Sequence, residues 1–183
     1  MVAYVIVPGL DGSDDIHWQS FWEREWAEAA VRTAPSSWTE PDLDDWTVAV
    51  GAAVARASRG YDDTVLVAHS LGCWAVAAWA ETVAPQHVSA ALLVAPPDPN
   101  GPSFPRAVAG TFVDIPARPL PFPALVVGSD DDPYASTAAV EKMAVRWNAQ
   151  WHMAGRLGHI NSASELGEWQ QGREMLQGLL GNR

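Results

Sequence analysis

Lysine, cysteine and long apolar runs are all scarce in this sequence of 183 residues. Only 11 basic residues stand against 22 acidic ones, and Lys142 is the single lysine. Because Lys142 lies in no glycine-rich loop, a P-loop is excluded, and Schiff-base chemistry would have to rest on this one residue. The net charge of −11 would repel a phosphate backbone or an anionic membrane. We therefore expect neither a nucleic-acid partner nor a membrane partner.

The single cysteine, Cys73, excludes an internal disulfide and a zinc site built from cysteines. This usage fits a reducing compartment. No apolar run approaches the roughly 20 residues that a membrane span needs, and residues 1–9 lack the basic segment of a signal peptide. We expect a cytoplasmic protein.

The length and the hydrophobic fraction of 48% predict a single domain over residues 1–183. Short apolar runs alternate with longer amphipathic segments. The predicted strands are 2–7, 31–34, 64–68, 88–95, 124–128 and 150–154. The predicted helices cover 18–26, 46–57 with Asp42 as N-cap, 71–83, 137–147 and 166–180. This alternation predicts an α/β fold, a three-layer α/β/α sandwich around a mostly parallel sheet of about six strands in the order 2-1-3-4-5-6.

One segment interrupts the alternation: residues 96–123 contain nine prolines. Such a stretch cannot form a long helix or a central strand, so it replaces the expected fourth crossover helix at least in part. We predict a lid-like loop that could bind substrate, the alternative being a proline-stiffened surface excursion. Phe104 and Phe112 within it suggest a modest apolar pocket for short acyl chains.

The most informative segment is 64–74, where a buried strand runs directly into a helix with Ser70 at the corner. Small residues, Ala68 and Gly72, stand two positions before and after the serine. This pattern is typical of a nucleophile elbow, in which the serine side chain is exposed at the strand end. The Leu71 backbone N–H, at the helix N-terminus, would then face a developing oxyanion. The alternative is a serine that merely caps an ordinary helix.

A serine nucleophile needs a base, and the sequence has five histidines. His159 follows the last predicted strand and lies in a loop at the carboxyl edge of the sheet, where catalytic groups of open α/β sheets collect. His69 adjoins the serine but should point to the opposite face, and His152 reads as structural. His87 precedes a predicted strand and so lies at the opposite edge of the sheet. His17 could line the mouth of the site but precedes the serine in the chain.

The acid that would orient the imidazole should follow the fifth strand, which ends in three aspartates, Asp130, Asp131 and Asp132. We favour Asp132, with Asp131 as the second candidate. A solvated turn that caps the next helix, or a magnesium site, is the alternative explanation of the cluster. The second oxyanion donor is expected from the loop after the first strand, at the backbone N–H of Leu10. We expect no cofactor and no metal.

In combination, these residues resemble the small serine hydrolases typified by retinoblastoma-binding protein nine and its bacterial YdeN-like relatives, a compact branch of the α/β-hydrolases. The resemblance rests on segments 8–10, 17–19 with Trp22, 41–46, 68–72, 95–98, 119–123, 132–134 and 158–161. It implies that Ser70 is the nucleophile, Asp132 the acid and His159 the base, and it favours Asp132 over Asp131. Ala68 departs from the family pattern, which bears on rate rather than reaction type.

The sequence therefore predicts a serine hydrolase that cleaves a small ester, thioester or activated amide through an acyl-enzyme. The alternative is a non-catalytic protein-interaction module on the same fold, using its acidic surface or its proline-rich segment. The two differ in geometry, because the module does not need Ser70 and His159 within hydrogen-bond reach. A metal-dependent phosphatase is disfavoured, since no D-x-D pair directly follows the first strand.

Overall fold

One parallel sheet organises the chain, for which a computed structural model describes residues 1–82 and 87–181. The strands are β1 Val2–Val7, β2 Ala30–Arg32, β3 Asp63–His69, β4 Val88–Val94, β5 Ala124–Gly128 and β6 Gln150–Met153. All neighbouring strands pair in parallel, in the order β2-β1-β3-β4-β5-β6. The predicted strand order is confirmed. Because all six strands run the same way, their carboxyl ends lie along one edge.

Five α-helices occur in the described residues, and they follow the predicted sequence of elements. They are α1 Trp18–Trp26, α2 Leu43–Ala57, α3 Leu71–Thr82, α4 Thr137–Trp147 and α5 Gln170–Gly181. Asp42 caps α2 as predicted, since its side chain accepts a hydrogen bond from the Asp45 N–H. None of the helices described is both long and apolar enough to span a membrane.

Two predicted helix starts differ from the structure, one of them that of α2, which begins at Leu43 rather than at residue 46. The last helix begins at Gln170 rather than at residue 166, because Gly167 and Trp169 adopt positive φ angles of 55° and 42°. A left-handed backbone cannot be part of a right-handed helix. The predicted end of α3, Val83, lies outside the described residues.

The two faces of the sheet carry separate hydrophobic cores. Helices α2, α3 and α4 pack on one face, and α1 and α5 pack on the other. Val65, Leu66 and Val67 of β3 are fully buried, as expected of a central strand covered on both sides. This arrangement confirms the three-layer α/β/α architecture.

The proline-rich segment 96–123 takes the place of a crossover helix, as predicted, with one short 3₁₀ turn at Gly110–Phe112. Its Phe104, Phe112 and Phe122 side chains are buried in the same core as α2, α3 and α4. The expectation that Phe104 and Phe112 form an acyl pocket is therefore wrong: these rings anchor the segment to the sheet. The lid-like role of the segment stays a prediction.

The junction between β1 and α3 is so tight that it admits only glycine at position 72. A Cβ atom on Gly72 would lie 2.6 Å from the Pro8 carbonyl oxygen and closer still to that of Val7. The small residue predicted at position 72 is therefore required, and the atoms that leave no room for a side chain belong to the end of β1. Ala68, the other small residue of the pattern, is fully buried.

We predict that Gly72→Ala lowers the free energy of unfolding by about 1–3 kcal/mol, because backbone atoms must move to admit the methyl group. The matched control is Gly178→Ala in α5, where a Cβ atom meets nothing within 4 Å. That change should stabilise the protein by up to about 1 kcal/mol. Urea denaturation followed by tryptophan fluorescence measures both. Equal stabilities for the two variants would contradict the steric argument.

Candidate active site

Ser70 occupies a sharp turn between β3 and α3. Its φ angle is +54°, a left-handed conformation that is unusual for a residue other than glycine. The turn is held by a hydrogen bond from the Ser70 N–H to the Val94 carbonyl oxygen, at 2.9 Å. Strained backbone of this kind is typical of functional sites and is the local geometry of a nucleophile elbow.

The His159 ring joins the serine to a carboxylate. Its Nε2 lies 2.9 Å from Ser70 Oγ, and its Nδ1 lies 3.0 Å from both Oδ1 and Oδ2 of Asp132. The Asp132 side chain is 1% exposed and that of His159 11%. Because a carboxylate accepts the hydrogen bond, Nδ1 carries the proton and Nε2 is free to accept one from the serine hydroxyl. The three residues thus form a continuous hydrogen-bonded chain.

The neighbouring aspartate is bound differently. Oδ1 of Asp131 accepts hydrogen bonds from the Gly158 N–H at 2.8 Å and from the Ser129 hydroxyl at 3.0 Å. The first of these contacts is the main cause that holds the pKa of Asp131 below its ordinary value. Asp131 therefore stabilises the backbone of the loop that carries His159 and does not contact the imidazole ring.

The loop that carries His159 is tethered to the first helix. The indole N–H of Trp18 donates to the Ile160 carbonyl oxygen at 2.8 Å, and Trp22 donates to the Glu168 carbonyl oxygen at 2.7 Å. Both tryptophans are core residues as well, at most 1% exposed. Their hydrogen bonds to this loop were not predicted, although Trp18 lies in the distinctive His-Trp-Gln segment.

A cavity of about 380 Å³ opens beside Ser70, within the size range of small-molecule sites. Leu10 and Leu71 both line it, together with Pro97 and Pro105 of the proline-rich segment. The loop after β1 lies against the serine, since a Cβ atom on Gly9 would come within 2.6 Å of the Ser70 Cβ. Leu10, the next residue of this loop and the predicted oxyanion donor, lines the same cavity as Ser70.

The charges around this cavity are of one sign. Asp11 and Asp14 line it, and no lysine or arginine is among its lining residues within the described chain. A hydrogen bond from the Ser162 hydroxyl, 2.6 Å long, is the main cause that lowers the pKa of Asp14. An anionic substrate would meet repulsion here. In the part of the chain that the structure describes, no group of three or more His, Cys, Asp or Glu side chains is arranged to hold a metal ion.

Two further histidines line the cavity, and one of them was placed wrongly by the sequence argument. His69 does not point away from the site: its Nε2 lies 2.9 Å from the His159 carbonyl oxygen. Strand alternation fails here because Ser70 is already past the strand, in the left-handed turn. His17 lines the cavity as suggested, and its Nδ1 caps α1 by accepting from the Gln19 N–H. Burial lowers the pKa of His17 to about 4.

Trp38, Cys73 and His152 do not line the cavity. Trp38 packs edge-to-face on Trp46, with ring centroids 5.4 Å apart. The Cys73 thiol is buried, which raises its pKa and makes it a poor nucleophile. His152 is exposed on β6 rather than buried, so it is not the satisfied core histidine that was expected.

Comparisons with known proteins agree with this fold. The sequence model of a family described as "Serine hydrolase" matches residues 4–178. A YdeN-like hydrolase from Pectobacterium atrosepticum is 31% identical, with 96% of this chain and 89% of that one covered and a TM-score of 0.81. The ydeN gene product of Bacillus subtilis is 19% identical over 98% of both chains, with a TM-score of 0.72.

A more distant structure shares the fold alone. Est1E from Butyrivibrio proteoclasticus is 16% identical, with 98% of this chain and 88% of that one covered and a TM-score of 0.69. No curated protein sequence is significantly similar to this chain.

Proposed function

The chain belongs to the serine hydrolase family, and from this premise we propose that Ser70, His159 and Asp132 form its catalytic triad. The enzyme is an esterase-like hydrolase, and its proposed substrate is a small ester, thioester or activated amide. The observation that carries the proposal is the hydrogen-bonded chain from Ser70 Oγ through the imidazole to the Asp132 carboxylate, with links of 2.9 Å and 3.0 Å.

The proposed reaction proceeds in two halves. His159 Nε2 takes the hydroxyl proton of Ser70 while Oγ attacks the substrate carbonyl carbon. The backbone N–H groups of Leu71 and Leu10 hold the resulting oxyanion. His159 then protonates the leaving alcohol, thiol or amine, which departs and leaves an acyl ester on Ser70. In the second half, water gives a proton to His159 and attacks the same carbonyl, which releases the carboxylic acid and restores the serine.

The shape and charge of the cavity support a small substrate without negative charge. Its volume of about 380 Å³ lies near the lower end for small-molecule sites. Asp11 and Asp14 supply negative charge along its wall, with no cationic side chain to offset it among the described lining residues. We therefore propose that neutral or cationic substrates are preferred over anionic ones.

A fluorophosphonate probe tests the nucleophile. We expect the probe to label wild-type protein at Ser70, as located by peptide mass spectrometry, and to leave Ser70→Ala unlabelled because the attacking oxygen is gone. The Ser70→Ala variant should keep the wild-type melting temperature within a few degrees, because the substitution removes only one atom, Oγ, from the wall of the cavity. Absence of labelling between neutral and alkaline pH, or labelling at another residue, would contradict the proposal.

The acid can be identified by a matched pair of variants. We expect Asp132→Asn to lower kcat for p-nitrophenyl butyrate by roughly four orders of magnitude, because the carboxylate no longer fixes the imidazole tautomer. Asp131→Asn keeps an acceptor oxygen for the Gly158 N–H, so its kcat should fall less than about tenfold. The reverse order of the two effects would assign the acid to Asp131.

Charge preference can be measured with esters of similar length. We expect wild-type kcat/KM to be lower for anionic p-nitrophenyl adipate than for p-nitrophenyl hexanoate. Asp14→Asn should raise the adipate-to-hexanoate ratio roughly two- to fivefold at low salt, the scale of one exposed charge. Asp15→Asn is the control, since Asp15 is exposed beside Asp14 but does not line the cavity. An unchanged ratio in Asp14→Asn would contradict the proposed charge preference but would not bear on the proposed triad.

A further inference from the structure

His69 makes a hydrogen bond that the proposed chemistry does not use. Its Nε2 lies 2.9 Å from the backbone carbonyl oxygen of His159. A carbonyl oxygen can only accept, so Nε2 of His69 carries the hydrogen and Nδ1 does not. The residue is 5% exposed, and burial holds its pKa well below the ordinary value for histidine. His69 is therefore a neutral donor with a defined tautomer.

This bond joins two distant parts of the chain next to the reacting atoms. His69 directly precedes Ser70, while its partner carbonyl belongs to His159, 90 residues away. The same His159 is bound to Ser70 Oγ and to Asp132 through its ring. The imidazole is thus fixed by its side chain, and the backbone that carries it is fixed separately by the residue adjoining the serine.

The backbone around His159 makes this second attachment important. Gly158 and Ile160, the residues on either side, both have left-handed φ angles, 58° and 48°. Ile160 is not a glycine, so its conformation is costly and needs surrounding contacts to hold it. The indole of Trp18 binds the Ile160 carbonyl oxygen, and His69 binds that of His159. Two consecutive carbonyl groups of a strained loop are held by two buried side chains.

Neighbouring rings hold His69 in place. The His17 ring meets it edge-on with centroids 4.8 Å apart, and the Trp18 ring lies 6.3 Å away at 85°. His17 is itself fixed, because its Nδ1 accepts the Gln19 N–H at the start of α1. The first helix therefore sets the orientation of the His69 ring and leaves it little rotational freedom.

We propose that His69 is a positioning residue for the hydrolase: its Nε2–H, bound to the His159 carbonyl oxygen, sets the distance between the imidazole and Ser70 Oγ. The proposal rests on the proposed function of Ser70 and His159. Loss of the bond would release the strained loop and displace the base by a fraction of an ångström or more. Such displacement acts mainly on the proton transfer, which needs the imidazole within hydrogen-bond reach of Ser70 Oγ, and less on substrate affinity, because His69 is only one of 15 residues that line the cavity.

Two variants of His69 separate the hydrogen bond from mere packing. His69→Leu fills similar volume without a donor, whereas His69→Gln offers an amide N–H at comparable reach. For p-nitrophenyl butyrate we expect His69→Leu to lower kcat roughly 10- to 100-fold, with KM within about twofold of wild type. The rate of Ser70 labelling by a fluorophosphonate should fall in parallel. His69→Gln should recover most of both rates, and His152→Leu, a change at an exposed histidine, should leave both as in wild type.

Melting temperatures accompany these measurements, so that an unfolded variant is recognised. The proposal is overturned if a folded His69→Leu keeps kcat within about twofold of wild type, or if folded His69→Gln is as slow as His69→Leu. A further test uses the unmutated protein. ¹⁵N NMR of its histidines should show His69 as the Nε2–H tautomer without titration between pH 5 and 8. An Nδ1–H tautomer, or titration in that range, would overturn the proposal even if His69→Leu does not fold.

The outcomes distinguish this inference from the proposed function. If wild-type Ser70 is not labelled and no ester is cleaved, the proposed function fails, whatever the NMR spectrum shows. If wild type is active and the His69 variants behave as wild type, only the positioning role fails.

Discussion

The left-handed turn at Ser70 is the constraint on which the site depends. With φ at +54°, the chain leaves β3 and enters α3 without an intervening loop. That path drives the start of α3 against the carbonyl oxygens at the end of β1, which is why no side chain fits at Gly72. It also brings Gly9 against the serine. Ser70, the first turn of α3 and the loop after β1 are therefore placed by a single steric arrangement.

Buried polar side chains connect this turn to the rest of the sheet edge. Gln19 donates to the carbonyl oxygens of Val7 and Val67, at 3.3 Å and 2.9 Å, and so occupies acceptors of two adjacent strands, β1 and β3. Trp18, one residue before it, reaches the loop that carries His159. Unpaired buried acceptors would cost about 1–3 kcal/mol each, so these contacts contribute to stability as well as to geometry. Helix α1 thus supports the site although it contributes no reacting group to it.

Much of this arrangement follows from sequence patterns, and the exceptions have physical causes. Continuous apolar runs identify the strands because parallel strands are buried on both faces, and parallel pairing brings their ends to one edge. Ser70, Asp132 and His159 could therefore be expected near one another. Side-chain directions within the turn could not be predicted, because the alternation rule ends where the strand does. This is why His69 was expected on the wrong face.

The other predictions that the structure corrects concern irregular segments of the chain. Prolines in 96–123 exclude a helix but do not say which side chains face inward, and Phe104 and Phe112 proved to be core residues. The start of α5 depends on the left-handed conformations of Gly167 and Trp169, and a tryptophan in a sequence does not indicate a positive φ angle. In both cases tertiary packing decides between local structures that the sequence pattern allows equally.

The three histidines around the cavity differ in what their surroundings allow them to do. Burial lowers the pKa of His17 to about 4 and that of His69 well below its ordinary value, so neither ring takes up a proton near neutral pH. His159 alone among these three has a carboxylate bonded to its ring, which stabilises an imidazolium when one forms. A nearby charged histidine would oppose that protonation by repulsion. The His69 ring packs against the proposed base, with ring centroids 5.0 Å apart, and the His17 ring packs against His69; because both are neutral, neither competes for the proton that His159 takes up.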